Sequence, residues 1–153
     1  MFFRPFILIF FLLSFTVALD FTVTEKGVSL DDNNTVLIFG GMQGDEPGGF
    51  HAASLLISDY NITKGKIIVA PNLAFDSIIK RSRGANGDLN RKFANLSPND
   101  PDYKTVQRIK ELILRDEVGM VINLHDGWGF YRPNFMNSMK NPKRWGNSSV
   151  IDT

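Results

Sequence analysis

A short apolar run that breaks into glycines constrains this chain most. Residues 35–39 (TVLIF) are rich in β-branched and aromatic side chains and lead at once into residues 40–49, GGMQGDEPGG. Such a run reads as a buried strand ending in a tight loop. The loop holds Gln43 and Glu46, two oxygen donors three residues apart, with glycines on either side. Glycine tolerates positive φ, so both side chains can turn toward one point. A second strand, residues 119–124, ends in the same way at His125, Asp126 and Gly127. If the two strands are neighbours in one parallel sheet, their C-terminal ends meet, which is where open α/β sheets place ligands. Gln43, Glu46 and His125 would then face a single point, two oxygens and one imidazole with room for water. That is the outline of an open catalytic zinc site.

The chain has 153 residues and no internal repeat, so one compact domain is the prior. Residues 1–18 are set aside first. Arg4 supplies a positive charge, FILIFFLLSFTV forms a nearly unbroken apolar run, and Thr16, Val17 and Ala18 offer small residues for cleavage. This reads as a secretory signal peptide, with an uncleaved membrane anchor as the alternative. Without it, 16 basic and 16 acidic residues remain, since Arg4 is one of 17 lysines and arginines. A near-neutral chain argues for neither nucleic acid nor an anionic membrane surface as partner. Zero cysteines in an exported chain leave stability to the core and any metal. A bacterial periplasm is the expected location, with no transmembrane helix left after cleavage.

In chain order, residues 21–30 read as an exposed edge strand or hairpin, and residues 47–60 as a helix with proline in its first turn. Residues 67–70 (IIVA) read as a second buried strand. Residues 72–100 read as an irregular polar loop of the length that usually carries function. Residues 102–117 form the clearest helix, with Val106, Ile109, Leu112 and Ile113 at helical spacing. Residues 118–124 read as a third buried strand, and no regular element is expected after His125. Strands alternating with helices imply an α/β fold with a mostly parallel or mixed sheet flanked by helices. Three core strands and two helices make a small sheet with poorly covered edges. The expectation is therefore a domain, residues 19–153, of which only the N-terminal part is present.

Taken together, Gln43-x-x-Glu46 and His125 resemble the site of the zinc carboxypeptidases, whose usual pattern is His-x-x-Glu after one strand and a single His after a later one. Arg83 followed by Asp88-Leu89-Asn90-Arg91 is similar to that family's substrate-carboxylate signature, and the aspartoacylase-like branch shares the spacing. Gln43 stands where the family normally has histidine. A glutamine there, with HDGWGFYRP and NPKRWGNS, resembles the murein D,L-carboxypeptidases that trim stem tripeptides and set helical cell shape. The resemblance covers roughly residues 20–153.

It implies zinc as cofactor, held by Gln43, Glu46 and His125, and a peptidoglycan stem peptide as partner, with other cell-wall proteins as further partners. Arg83 would stabilise the oxyanion. Asn90 and Arg91 would clamp the terminal carboxylate, because a planar guanidinium holds a carboxylate through two parallel hydrogen bonds. In the family the residue equivalent to Asp88 contacts the first histidine. Here that contact would go to the Gln43 amide nitrogen and aim the amide oxygen at zinc. Each residue has a plainer reading as well. Gln43 and Glu46 could be polar loop residues, Asp88 a loop former, and Asp126 a turn former. His51 reads as a surface or packing residue, and Lys80, Arg81 and Lys92 as solvated charges. Trp128, Phe130, Tyr131 and Trp145 could line a pocket or simply pack on the sheet.

The general base is missing from this picture. In the family it is a glutamate well downstream of the last zinc ligand, and here only Asp152 follows Asp126 among the acidic residues. The expectation is a truncated, inactive form. Two alternatives stand beside it: an aspartoacylase-like amidohydrolase acting on small acyl amino acids, and a non-catalytic murein-binding protein with a vestigial site.

Overall fold

The structure is a computed structural model that describes residues 20–28, 34–144 and 146. The leader expected over residues 1–18, Trp145 and Asp152 lie outside the described residues. No helix among the described residues is long and apolar enough to cross a membrane.

Strand β1 (Thr24–Gly27) lies at one edge of a four-stranded sheet, antiparallel to β3 (Lys66–Ala70). Strand β2 (Thr35–Phe39) follows β3 in the sheet and runs parallel to it, as the alternation of strands and helices implies. The far edge is β4 (Val118–Asn123), parallel to β2, so the order is β1-β3-β2-β4. The expected mostly parallel or mixed sheet with flanking helices is observed, with β1 as the antiparallel member.

Helix α1 (Pro47–Ser58) starts at its proline, where the missing N–H costs nothing. Lys26 Nζ, reaching over from β1, donates to the carbonyls of Ile57, at 2.7 Å, and of Tyr60, placing a cation at the end of α1, where the helix dipole favours one. Successive residues of a strand face opposite sides of a sheet, and the core divides accordingly. Ile38 and Val69 pack with Ala53 on the α1 side. Leu37, Phe39, Ile68 and Ala70 pack with Val106 and Ile109 on the side of helix α3 (Tyr103–Ile113).

Four expectations need correction. The 72–100 loop is not structureless: it contains α2 (Phe75–Ile79) and a single 3-10 turn, Leu89–Arg91. Leu73 and Leu89 belong to the α3-side core, so apolar anchors fold the loop down onto that core. The clearest helix stops at Ile113, four residues before 117, because Glu117 carbonyl accepts from Thr35 N at 3.0 Å and is thereby drawn into the sheet. Strand β4 is not buried. Met120 and Val121 are 57 % and 42 % exposed, since β2 is the one strand that flanks β4 among the described residues. Finally, two residues each form β5 (Phe130–Tyr131) and β6 (Lys140–Asn141), a ladder too short for any periodicity to announce.

Candidate metal centre and cleft

Strand register places the site. Phe39, the last residue of β2, pairs with Asn123, the last of β4, and Leu124 N donates to Phe39 carbonyl at 2.8 Å. The glycine loop and His125 therefore leave the sheet side by side, at its C-terminal edge. The glycines act mainly by leaving room. Of the five at 40, 41, 44, 48 and 49, Gly41 alone has a left-handed φ, +68°. A Cβ on Gly44 would sit 2.0 Å from Ser77 backbone, and one on Gly48 would sit 2.2 Å from Asp126 Oδ1. Asp126 Oδ2 accepts from Gly48 N at 2.9 Å, so the residue after His125 caps the N-terminus of α1 and docks it on the exit of β4.

This docking brings Glu46 and His125 together. His125 Nδ1 lies 2.8 Å from Glu46 Oε2, which also accepts from Asp126 N at 3.2 Å. The other oxygen, Oε1, accepts from Arg83 Nη1 at 3.1 Å. Arg83 Nε donates to Asp88 Oδ2 at 3.1 Å, so one guanidinium spans two carboxylates. Burial works to lower the Arg83 pKa, and its bonds to Glu46 and Asp88 outweigh this and raise it. Asp88 shows the mirror case. Burial favours its neutral form, yet hydrogen bonds from Gln43 and Asn90 N, with the Arg83 charge, hold it below the usual carboxylate range.

Gln43 closes the network from inside the protein. It is 1 % exposed, and its Nε2 donates to Asp88 Oδ1 at 2.9 Å. That bond fixes the amide orientation. The opposite atom, Gln43 Oε1, is buried with no hydrogen-bond partner among the described residues. A buried carbonyl oxygen left unpaired costs about 1–3 kcal/mol unless something else binds it, and a cation is a natural occupant. Gln43, Glu46 and His125 could hold a divalent ion through two oxygens and one imidazole, a donor set suited to zinc with an open position. Among the described residues no cluster of three or more His, Cys, Asp or Glu side chains is placed to hold a metal ion.

An open cleft of about 670 Å³ lies in front of this network, lined by Asp45, Glu46, Arg83, His125, Asp126 and Trp128 among others. Asn90 and Arg91 do not line it. Asn90 N donates to Asp88 Oδ1 at 3.0 Å, and Arg91, exposed, reaches back to Asn90 carbonyl at 3.4 Å. The two flank the network on the 3-10 turn, capped by Asp88. His51 is exposed against the Phe50 ring, 4.4 Å between centroids, as a packing reading implies. Trp128 stands 71 % exposed at the cleft with Arg144 over its ring, while Phe130 and Tyr131 belong to β5. Sequence reasoning missed Asp45 as a lining residue, although its place beside Glu46 in the glycine loop was a usable signal.

Comparison with known proteins adds to this geometry. The mDAP-bound form of Helicobacter pylori Csd4, described as a D,L-carboxypeptidase, is 45 % identical, with 81 % of this chain and 31 % of that chain covered and a TM-score of 0.74. The tripeptide-bound cell shape determinant Csd4 of the same organism is 44 % identical over 84 % of this chain and 32 % of that one, with a TM-score of 0.75. The chain thus spans about a third of the length of these relatives. A succinylglutamate desuccinylase/aspartoacylase from Rhodobacter sphaeroides, 23 % identical over 68 % of this chain and 33 % of its own, shares the fold with a TM-score of 0.58. No curated protein matches the chain. The family profile for the catalytic region of carboxypeptidases controlling helical cell shape matches residues 4–153, and the chain belongs to that family.

Proposed function

We propose that this chain carries the metal- and substrate-binding part of a zinc-dependent D,L-carboxypeptidase that trims a peptidoglycan stem tripeptide to the dipeptide, in the periplasm, as part of cell-shape determination. The observation that carries the reading is Gln43 Oε1, buried and without a hydrogen-bond partner among the described residues, held in place by Asp88 within the network that joins Glu46 to His125. The tripeptide and mDAP bound to Csd4 support the substrate class. The apolar run behind Arg4 supports export.

Gln43, Glu46 and His125 would hold the ion. Bound zinc would supply Lewis-acid polarisation of the scissile carbonyl and a lowered pKa for the attacking water. Arg83 opens to the cleft, its side chain 52 % exposed, and its guanidinium stays charged at any working pH. It would turn from Glu46 toward the carbonyl oxygen as negative charge develops there. Asn90 and Arg91 would take the terminal carboxylate from the adjoining turn. Trp128 offers an apolar wall. Both oxygens of Glu46 are already engaged, so it is not assigned as proton acceptor, and no other described residue is given that role.

Product analysis with a murein tripeptide, alongside zinc content, tests the reading on a protein in which this chain is joined to the C-terminal region that its longer relatives carry. Release of the terminal diamino acid together with about one zinc per chain supports it. Murein binding without zinc or cleavage would move the protein to the murein-binding alternative.

A further inference from the structure

Lys92 belongs neither to the metal ligands nor to the cleft, and it is not the solvated charge that its sequence context suggests. Its side chain is 12 % exposed, and Nζ donates to both oxygens of Asp100, at 2.8 and 3.0 Å, to Asp102 Oδ2 at 2.9 Å and to Asn86 carbonyl at 2.7 Å. Asn86 Nδ2 donates to Asp102 Oδ1 at 3.0 Å, which closes a ring through the main chain and side chain of Asn86. Asp102 N donates to Asp100 Oδ1 at 2.8 Å, bracing the two carboxylates against each other. Burial works against the charged ammonium, but the bonds to Asp100 and Asp102 outweigh it and raise the Lys92 pKa.

The ring joins two parts of the molecule. Asp102 immediately precedes α3, whose Val106 and Ile109 are fully buried in the core. Lys92 immediately follows the 3-10 turn, and its backbone N donates to Leu89 carbonyl at 3.0 Å. At the other end of the same turn, Asp88 is held by Gln43 and Arg83. Asn90 and Arg91 therefore lie between two charged anchors, one on the candidate metal centre and one on α3.

We infer that Lys92 is a positioning residue for recognition of the substrate's terminal carboxylate: by tying the Leu89–Arg91 turn to the start of α3, it fixes where Asn90 and Arg91 present their donors. The inference rests on the carboxypeptidase reading above. Donors held in place before binding lose less freedom when the carboxylate arrives, so the effect falls on affinity rather than on the chemical step.

Lys92→Met keeps the aliphatic stem and removes the donors, whereas Lys92→Arg keeps charge and donors. Each substitution is made in a protein that joins this chain to the C-terminal region its longer relatives carry, and tripeptide kinetics, calorimetric binding of the free terminal amino acid and zinc content are measured on each. KM and the product dissociation constant should rise about tenfold in Lys92→Met, the scale of losing preorganised charge-assisted contacts. Its kcat should stay within about threefold and its zinc content should not change, with Lys92→Arg recovering most of the loss. Unchanged KM and product affinity in Lys92→Met, with wild type active, overturn the inference and leave the carboxypeptidase reading standing. If Lys92→Met does not fold, Asp102→Asn loosens the same ring from the helix side and carries the same expectation. A zinc-loaded wild type that neither binds nor cleaves the tripeptide overturns both.

Discussion

The two walls of the candidate site are built very differently. One comprises the glycine loop after β2 and the segment from Arg83 to Lys92, and there Gln43, Glu46, Arg83, Asp88 and Lys92 all have charged or amide partners. The other is β4 and the chain beyond it, which contributes His125 from an edge strand whose Met120, Val121 and Ile122 stand open, followed by the exposed Trp128, Phe130 and Phe135. The first wall is held by β3 and β2 and by apolar anchors on the α3 side, while β4 pairs with β2 alone among the described residues. The difference teaches that orientation of the candidate metal donors is supplied from the β2 side. His125 is held there mainly through Glu46 and through the Asp126 contact to α1.

The largest test removes a donor from either wall. Glu46→Ala or His125→Ala should each abolish stoichiometric zinc binding, measured by metal analysis after dialysis, although the two residues lie on walls of unequal support. Gln43→His should hold zinc at least as tightly as wild type, because imidazole is the better ligand for this ion. Equal zinc content in wild type and His125→Ala would remove β4 from the site altogether.

Stability should separate the walls next. Ile109→Ala empties a fully buried position and should cost about 2–5 kcal/mol in urea unfolding. Val121→Ala on β4, already 42 % exposed, should cost less than about 1 kcal/mol. Equal losses would mean that β4 is packed as firmly as the α3 side.

Acid should loosen the first wall. Asp88 and Asp100 both lie below the usual carboxylate range, Asp88 because its hydrogen bonds and Arg83 outweigh burial, Asp100 because of the Lys92 hydrogen bond. A carboxylate with a lowered folded pKa contributes stability that is complete above its unfolded value, about 3.9, and is lost as pH falls through the folded one. Hydrogen exchange over residues 84–92 should therefore accelerate below about pH 4, and Asp100→Asn should flatten that dependence.

The smallest effect belongs to the opposite end of the sheet. There Glu25 sits against Lys66 at 2.6 Å and Arg115 at 2.7 Å, and the hydrogen bonds from Lys66 and Arg115 lower its pKa. The pairs are partly exposed, so Glu25→Gln should cost no more than about 1 kcal/mol in thermal unfolding. It should also leave zinc content untouched, which contrasts with Glu46→Ala and His125→Ala.

Much of this molecule is legible in its residues, because the signals are local. β-branched runs and the glycine break set β2 and β3, proline set the start of α1, and Val106 and Ile109 at helical spacing marked the face of α3. Gln43, Glu46, Asp88 and His125 could be singled out because each follows a strand or sits in a compact motif, and the bond from Gln43 to Asp88 is the one such a motif implies. Tertiary structure alone decided the rest. Whether β4 is buried depends on what lies beside it, which its own VGMVIN cannot encode. That Gly44 and Gly48 serve close approach depends on Ser77 and Asp126, which lie 33 and 78 residues away along the chain. The burial of Lys92 came from Asp100 and Asp102 folding back across a loop with no period to read. Local propensity and pattern act over a few residues, whereas the partners of a charge and the neighbours of a strand are fixed only when distant segments meet.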